Sequence, residues 1–222
     1  MSVHVGLNSL ALLQWGTEAQ KQKYLVPLAQ GQMLGAFCLT EPHVGSDASG
    51  LRTSAVREGD HWVLNGVKQF ITSGKTADVA IVMAVTDKAA GKRGISAFIV
   101  ATKTPGYVLA RLEGKMGQHA SDTAQILFEN CRVPSENLIG EEGAGYKIAL
   151  AGLEGGRIGI ASQALGMARA AYEAALKYAK EREAFGKPIF EHQALQFRVA
   201  DMATQLEAAR QLIHHAAALK DS

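Results

Sequence analysis

Between residues 34 and 140 the hydrophobic period of this chain changes from helical to extended, with helical texture on both sides. Short strands separated by frequent turn signals favour antiparallel sheets over βαβ units, which need a crossover helix between strands. Gly59-Asp60 joins Leu51–Arg57 to His61–Leu64, and Asn65-Gly66 reads as a type I′ turn leading into Val67–Thr72. Asp78–Thr86 is a Val/Ile/Ala run of the kind found in buried strands, and the charged loop Asp87–Arg93 separates it from Gly94–Ala101. Pro105-Gly106 and Lys115-Met116-Gly117 mark further turns, and Thr123–Phe128 closes the series before Val133-Pro134. The expected centre of the molecule is an antiparallel barrel or sandwich.

The flanks are helical. In residues 3–30, Leu7, Leu10 and Leu13 fall on one stripe that Gly16 stops. Thr17 and Gln20 then form a capping box for a second helix ending near Gly31. After Gly143, a helix from Tyr146 to about Glu183 would span about 57 Å at 1.5 Å per residue. Its first half is rich in glycine (Gly152, Gly155, Gly156, Gly159, Gly166), which weakens the helix but permits close approach. Gly186 and Pro188 end it, and a second long helix from about Glu191 carries Leu195, Val199, Met202, Leu206, Ala209, Ile213 and Ala216 on one stripe. Two helices joined by a short turn cannot bury both stripes, so the expectation is a piece of something larger or a chain that leans on partners. The fold class expected is α+β and multidomain. Residues 1–33 form a remnant of a helical domain, 34–140 the β-domain, and 141–222 the first part of a helical bundle.

Composition removes several function classes. The 222 residues are 47% hydrophobic with a net charge of +2, and the basic residues are scattered rather than clustered, so no nucleic-acid partner is expected. Apolar windows are interrupted well before the ~20 residues of a membrane span. Met1–Val5 lacks the basic and apolar regions of a signal peptide. Cys38 and Cys131 lie far apart in apolar surroundings, as buried thiols in a reducing compartment would, and a cytoplasmic location is expected.

Three motif-like segments fail on inspection. Ser73-Gly74-Lys75-Thr76 resembles the end of a P-loop, but the required glycine five residues before Gly74 is Gln69. Gly140–Gly145 has its glycines in the wrong order for a dinucleotide fold. His214 and His215 would point about 100° apart on a helix and cannot share a metal, and no metal site is expected.

Four segments remain that can carry chemistry. Leu34–Leu39 reads as a strand, broken by Thr40-Glu41-Pro42-His43-Val44-Gly45-Ser46-Asp47 into a loop rich in free N–H groups and small hydroxyls. Gly45 and Ser46 would let a flat anionic group approach and would donate to phosphate; taken alone, the loop reads more simply as an ordinary strand-ending turn with an Asx bond at Asp47. Phe70-Ile71-Thr72 places an aromatic ring and a hydroxyl on one strand face, or Phe70 is simply core. Arg157 follows Glu154-Gly155-Gly156 on the glycine-rich helix and could equally form a surface ion pair. Arg182-Glu183-Ala184-Phe185-Gly186-Lys187-Pro188-Ile189, followed by His192-Gln193, marks the corner between the long helices, where Arg182 could serve only a helix C-terminus.

In this order the four segments resemble the acyl-CoA dehydrogenase family, over essentially the whole chain, with the short- and branched-chain enzymes nearest. The Thr-Glu-Pro-x-x-Gly-Ser-Asp loop and the Arg-x-x-Phe-Gly-x-Pro-Ile corner are its specific marks. The resemblance implies an N-terminal helical domain, a middle β-domain and a C-terminal bundle that forms tetramers or dimers, with FAD between the last two. It implies that Phe37, Leu39, Thr40, Gly45 and Ser46 line the flavin and its pyrophosphate, and that Phe70, Ile71 and Thr72 cover the other side of the ring. Arg182, Phe185 and Gln193 would reach the FAD of a neighbouring subunit, since a guanidinium matches phosphate geometry. Ser46, Glu154 and Arg157 match positions that contact the acyl-CoA.

The implied reaction is α,β-dehydrogenation of an acyl-CoA to the trans-2-enoyl-CoA, in fatty-acid or branched-chain amino-acid degradation, with electrons passed to an electron-transfer flavoprotein. The chain departs from the family in its base. The usual C-terminal Glu-Gly-Thr segment is absent, and Gly156 stands where a branched-chain subgroup carries its carboxylate. Glu154 lies two residues away and should face elsewhere, so the base is expected outside this chain. A truncated homologue that binds FAD or acyl-CoA, or serves as an interaction module without turnover, is the alternative.

Overall fold

The computed structural model describes residues 2–221 and divides into two compact units, Met1–Glu154 and Gly155–Ser222. In the first unit, a π-wound stretch His4–Ser9 runs into α1 (Leu10–Trp15). Gly16 stops it in an extended conformation, and a Cβ there would lie 2.5 Å from the Leu12 carbonyl oxygen. The capping box forms as expected. Thr17 Oγ1 accepts from the Gln20 N–H at 3.2 Å, and Gln20 Oε1 accepts from the Thr17 N–H at 3.0 Å. It opens α2 (Glu18–Gln20), which passes through a π-turn into α3 (Val26–Ala29). Gln20 Nε2 also donates to the carbonyls of Glu136 and Leu138, both at 2.8 Å, so the cap ties the helical layer to the sheet.

The sheet has eight strands: β1 (Gly35–Cys38), β2 (Ser54–Glu58), β3 (His61–Thr72), β4 (Val79–Val85), β5 (Ile95–Ala101), β6 (Tyr107–Leu112), β7 (Thr123–Pro134) and β8 (Leu138–Ile139). Their order is β6-β7-β3-β2-β4-β5-β8, with β1 also paired to β4. Most pairings are antiparallel, but β1 and the start of β2 run parallel to β4, so the sheet is mixed. β4 is buried on both faces, and its residues alternate between two cores. Val79, Ile81 and Met83 pack with Leu12, Leu28, Phe37 and Ile99. Ala80, Val82 and Ala84 pack with Trp62, Leu64, Phe98 and Ile126.

Asn65-Gly66 is not a hairpin turn. β3 runs through it, and the register with β7 shifts between Leu64 and Gly66 because β7 bulges opposite. The left-handed residue there is Asn130, at φ 50°, whose N–H donates to Asn65 Oδ1 at 2.8 Å. Gly66 serves close approach instead, since a Cβ on it would fall 2.5–2.7 Å from Thr53. β7 likewise continues past Phe128 to Pro134. At the end of this unit α4 (Gly145–Glu181) begins; Ile148 and Ala149 enter the first core, and a Cβ on Gly145 would fall 2.5 Å from Ser96 backbone.

The second unit holds the rest of α4, the two-residue strands β9 (Glu183–Ala184) and β10 (Lys187–Pro188), and α5 (Gln193–Asp221). Among its described residues, Ala179 is the one buried hydrophobic side chain. The two helices leave an apolar groove of about 860 Å³ lined by Ala164, Leu165, Ala168, Leu206, Ala209 and Ile213, among others. No helix among the described residues is long and apolar enough to cross a membrane.

Candidate functional site

The loop after β1 is built around one buried carboxylate. Glu41 exchanges backbone hydrogen bonds with Val44 (2.9 and 3.0 Å). Its Oε2 accepts from the Arg52 N–H at 2.8 Å, and its Oε1 accepts from the Thr53 N–H at 3.0 Å and from Lys68 Nζ at 2.8 Å. Lys68 Nζ also donates to the Leu39 carbonyl at 3.1 Å. Burial pushes the Lys68 ammonium below its usual pKa, with Glu41 opposing the shift. Burial alone would raise Glu41, but the Lys68 charge and the bonds from Lys68 and Thr53 hold it below the usual carboxylate range. Next to this pair, burial raises the Cys38 thiol to about 12, which keeps it protonated and inert.

With its base fixed in this way, the tip of the loop is open. Gly45 and Ser46 are exposed, and a Cβ on Gly45 would meet nothing within 4 Å. Among the described residues, their amides donate to no protein acceptor. At the base of the loop, the Thr40 carbonyl accepts from the Gln69 N–H at 2.8 Å, which brings the second segment alongside. There β3 bulges: Lys68 pairs with Ile126 and Ile71 with Ala124, so Gln69 and Phe70 face Gln125 alone. The bulge carries Phe70 into the left-handed region at φ 58°, a genuine outlier for a bulky residue. Its ring is 61% exposed; the reading of Phe70 as core is thus wrong, because the bulge turns it out of the sheet. Ile71 is 2% exposed and its side chain belongs to the second core, which leaves only its backbone for a ligand. Thr72 is half-buried at the end of the strand.

Phe37 and Leu39 are also buried, in the first core; they form the floor beneath the loop. Thr40 is half-buried. Beyond Thr72, the segment Ser73–Thr76 is a turn held by Asp122, which accepts from the Lys75 N–H at 2.9 Å and the Thr76 hydroxyl at 2.6 Å. That anchoring accounts for the P-loop-like string without any phosphate role. Glu154, at the end of the first unit, and Arg157, at the start of the second, are each exposed.

In the second unit the corner is tight. The Arg182 N–H donates to the Tyr178 carbonyl at 2.8 Å, and the Arg182 carbonyl accepts from the Ile189 N–H at 2.8 Å. Between β9 and β10, Phe185 and Gly186 both have positive φ (54° and 77°), and Phe185 is 97% exposed. Its ring meets His192 edge-on at 6.0 Å. Gln193 opens α5 with an exposed side chain. No group of three or more His, Cys, Asp or Glu side chains suited to a metal occurs among the described residues.

Sequence reasoning missed Lys68 and Gln69 and gave Glu41 no role. A lysine on a strand that carries inward-facing apolar residues, matched to the glutamate of the loop, was the available signal.

The geometry suits a flat aromatic group with an anionic tail: open amides at Gly45 and Ser46, an unpacked ring at Phe70, and a shared rigid floor. Three family models match the chain. The acyl-CoA dehydrogenase middle-domain model matches residues 36–131, the C-terminal-domain model residues 143–222, and the N-terminal-domain model residues 1–32. This chain belongs to the acyl-CoA dehydrogenase family, whose cofactor is FAD. It is 51% identical over 221 residues to the short-chain-specific acyl-CoA dehydrogenase of Megasphaera elsdenii, covering 99% of this chain and 58% of that protein. A structure described as an electron transferring flavoprotein of Acidaminococcus fermentans superposes with a TM-score of 0.96 at 56% identity, over 99% of this chain and 58% of that one. A glutaryl-CoA dehydrogenase from Mycobacterium smegmatis, solved with FADH2, gives a TM-score of 0.91 at 38% identity over 100% of this chain and 56% of that one. The chain therefore spans a little over half the length of these relatives.

Proposed function

We propose that these residues form the cofactor- and substrate-binding part of a short-chain acyl-CoA dehydrogenase. It converts an acyl-CoA to the trans-2-enoyl-CoA and delivers the electrons to an electron-transfer flavoprotein. The observation that carries this reading is Phe70: an aromatic ring turned outward by a bulge and a left-handed backbone, directly beside the open loop at Thr40–Ser46. Strain of this kind persists where the surrounding structure enforces it and is concentrated at binding sites.

FAD supplies the acceptor for the hydride that leaves the β-carbon of the substrate. The chain's own residues hold and orient. When FAD and substrate are bound, the amides of Gly45 and Ser46 would donate to phosphate or thioester oxygen, and Phe70 and Thr72 would hold the flavin with a ring and a hydroxyl. Arg182, Phe185 and Gln193 present a guanidinium, a ring and an amide to a second copy's cofactor, in a tetramer or dimer located in the cytoplasm. Arg157 and Glu154 border the acyl-CoA. The α-proton is taken by a carboxylate outside these residues, because Gly156, at the position where a branched-chain subgroup carries its base, has no side chain. The three-part division at residues 33 and 140 is kept as the functional one.

Colour tests the reading. The purified protein should be yellow, or become so on addition of FAD, and butyryl-CoA added without oxygen should bleach the visible flavin band once the base-bearing segment is present. A protein that stays colourless with excess FAD overturns it.

A further inference from the structure

The strongest unexplained feature of the first unit is the pair Lys68–Glu41. Lys68 is among the largest fully buried side chains of the protein, and the two side chains are 0% and 2% exposed. A buried ion pair is weak evidence for stability, since an apolar pair of similar volume is often as stable or more so. Its geometry is the informative part. Three consecutive residues of one segment grip two consecutive residues of the other. The Leu39 carbonyl and Glu41 Oε1 take Lys68 Nζ at 3.1 and 2.8 Å, and between them the Thr40 carbonyl takes the Gln69 N–H at 2.8 Å. The next residue on that strand is Phe70, at φ 58°. On its other side the carboxylate is held by the N–H groups of Arg52 and Thr53.

Resting on the function proposed above, we propose that the Lys68–Glu41 pair is a positioning clamp: it fixes the spacing and tilt between Thr40 and Phe70–Thr72, the two strips that enclose the flavin ring. Both side chains are buried beneath the loop, so neither would touch the cofactor. Each acts through backbone, Lys68 by anchoring Leu39 and the start of the bulge, Glu41 by joining Lys68 to the Arg52–Thr53 turn. The clamp makes the two strips one rigid piece before the ligand arrives, so binding does not have to order them.

The test uses the holoenzyme with three variants: Lys68→Met, the charge-free double variant Lys68→Met/Glu41→Gln, and Val133→Ala as a buried control in the second core of the same unit. Thermal melts report stability, and flavin fluorescence quenching and the shape of the visible band report the cofactor's surroundings. Lys68→Met should weaken FAD by about tenfold or more and blur the band, because binding would then have to order the two strips, and each ~1.4 kcal/mol of ordering cost is tenfold in affinity. The double variant should recover part of the lost melting temperature, because no lone charge stays buried, yet keep the loosened flavin. Val133→Ala should melt earlier with flavin affinity and spectrum unchanged. If the double variant regains both stability and wild-type flavin properties, or if Lys68→Met binds FAD as wild type does, the clamp is overturned while the functional reading stands. If wild-type protein binds no FAD, both fall. Should Lys68→Met fail to fold, Glu41→Gln alone decides by the same two flavin readouts.

Discussion

The two units of this protein solve the burial problem in opposite ways. In Met1–Glu154 a mixed sheet separates two cores, and β4 supplies both of them by simple alternation. In Gly155–Ser222 two long helices hold, among the described residues, one buried apolar side chain, Ala179, while their stripes line an open groove. A sheet covered on both faces satisfies its own apolar residues; a helix pair has more apolar stripe than mutual contact can hide. Stability should therefore be concentrated in the first unit, and substitutions at large apolar residues should report it.

The largest effect tests this contrast directly. Phe98 is fully buried and its ring lies 5.4 Å from that of Trp62, so Phe98→Ala should cost about 3–5 kcal/mol. Leu212, 69% exposed on the groove, should lose no more than about 0.5 kcal/mol when changed to alanine. Urea unfolding of the 222-residue chain measures both. Comparable costs would mean that the groove is already covered in solution, and the contrast would fail.

A smaller effect lies in what the units share. Each carries one exposed phenylalanine in the left-handed region, Phe70 at φ 58° and Phe185 at φ 54°. Replacing either with glycine should stabilise its unit by about 1 kcal/mol, the order of the steric cost relieved. Phe70→Gly should at the same time weaken flavin binding, whereas a loss of stability at Phe70 would show that its ring packs against something in the free protein, as that of Phe185 does against His192. Gain of stability with loss of ligand is the behaviour expected where strain serves binding.

Legibility in the sequence followed the same division. Periodicity and capping sufficed for the helices, down to the reciprocal bonds of Thr17 and Gln20, because caps and stripes are local. It also located the loop at Thr40 and the corner at Arg182. Non-local features were not legible. Asn65-Gly66 has turn chemistry, yet whether β3 bends there depends on Thr53 and Asn130, distant in sequence. Phe70 looked like core because strand alternation cannot foresee a bulge that depends on pairing with β7. Lys68 was invisible as a clamp because its partners lie 27 and 29 residues upstream.

The smallest effect belongs to the open surface of the second unit. Hydrogen bonds from Arg210, and then from Gln211, hold the Glu207 carboxyl down to about 2 from an ordinary 4.5. A carboxylate depressed in the folded state favours folding above its unfolded value, and that contribution fades as pH falls from about 4.5 towards 2. Because the group is fully exposed, its effect on global unfolding should be lost in the noise, and the side-chain resonance of Glu207 is the sensitive measure. An NMR titration should show its midpoint well below the ordinary glutamate value, and Arg210→Ala should return it to the ordinary range. A midpoint near 4.5 in the unaltered chain would mean that the i to i+3 pair does not persist in water. Even the local order of this helix would then depend on whatever covers the groove.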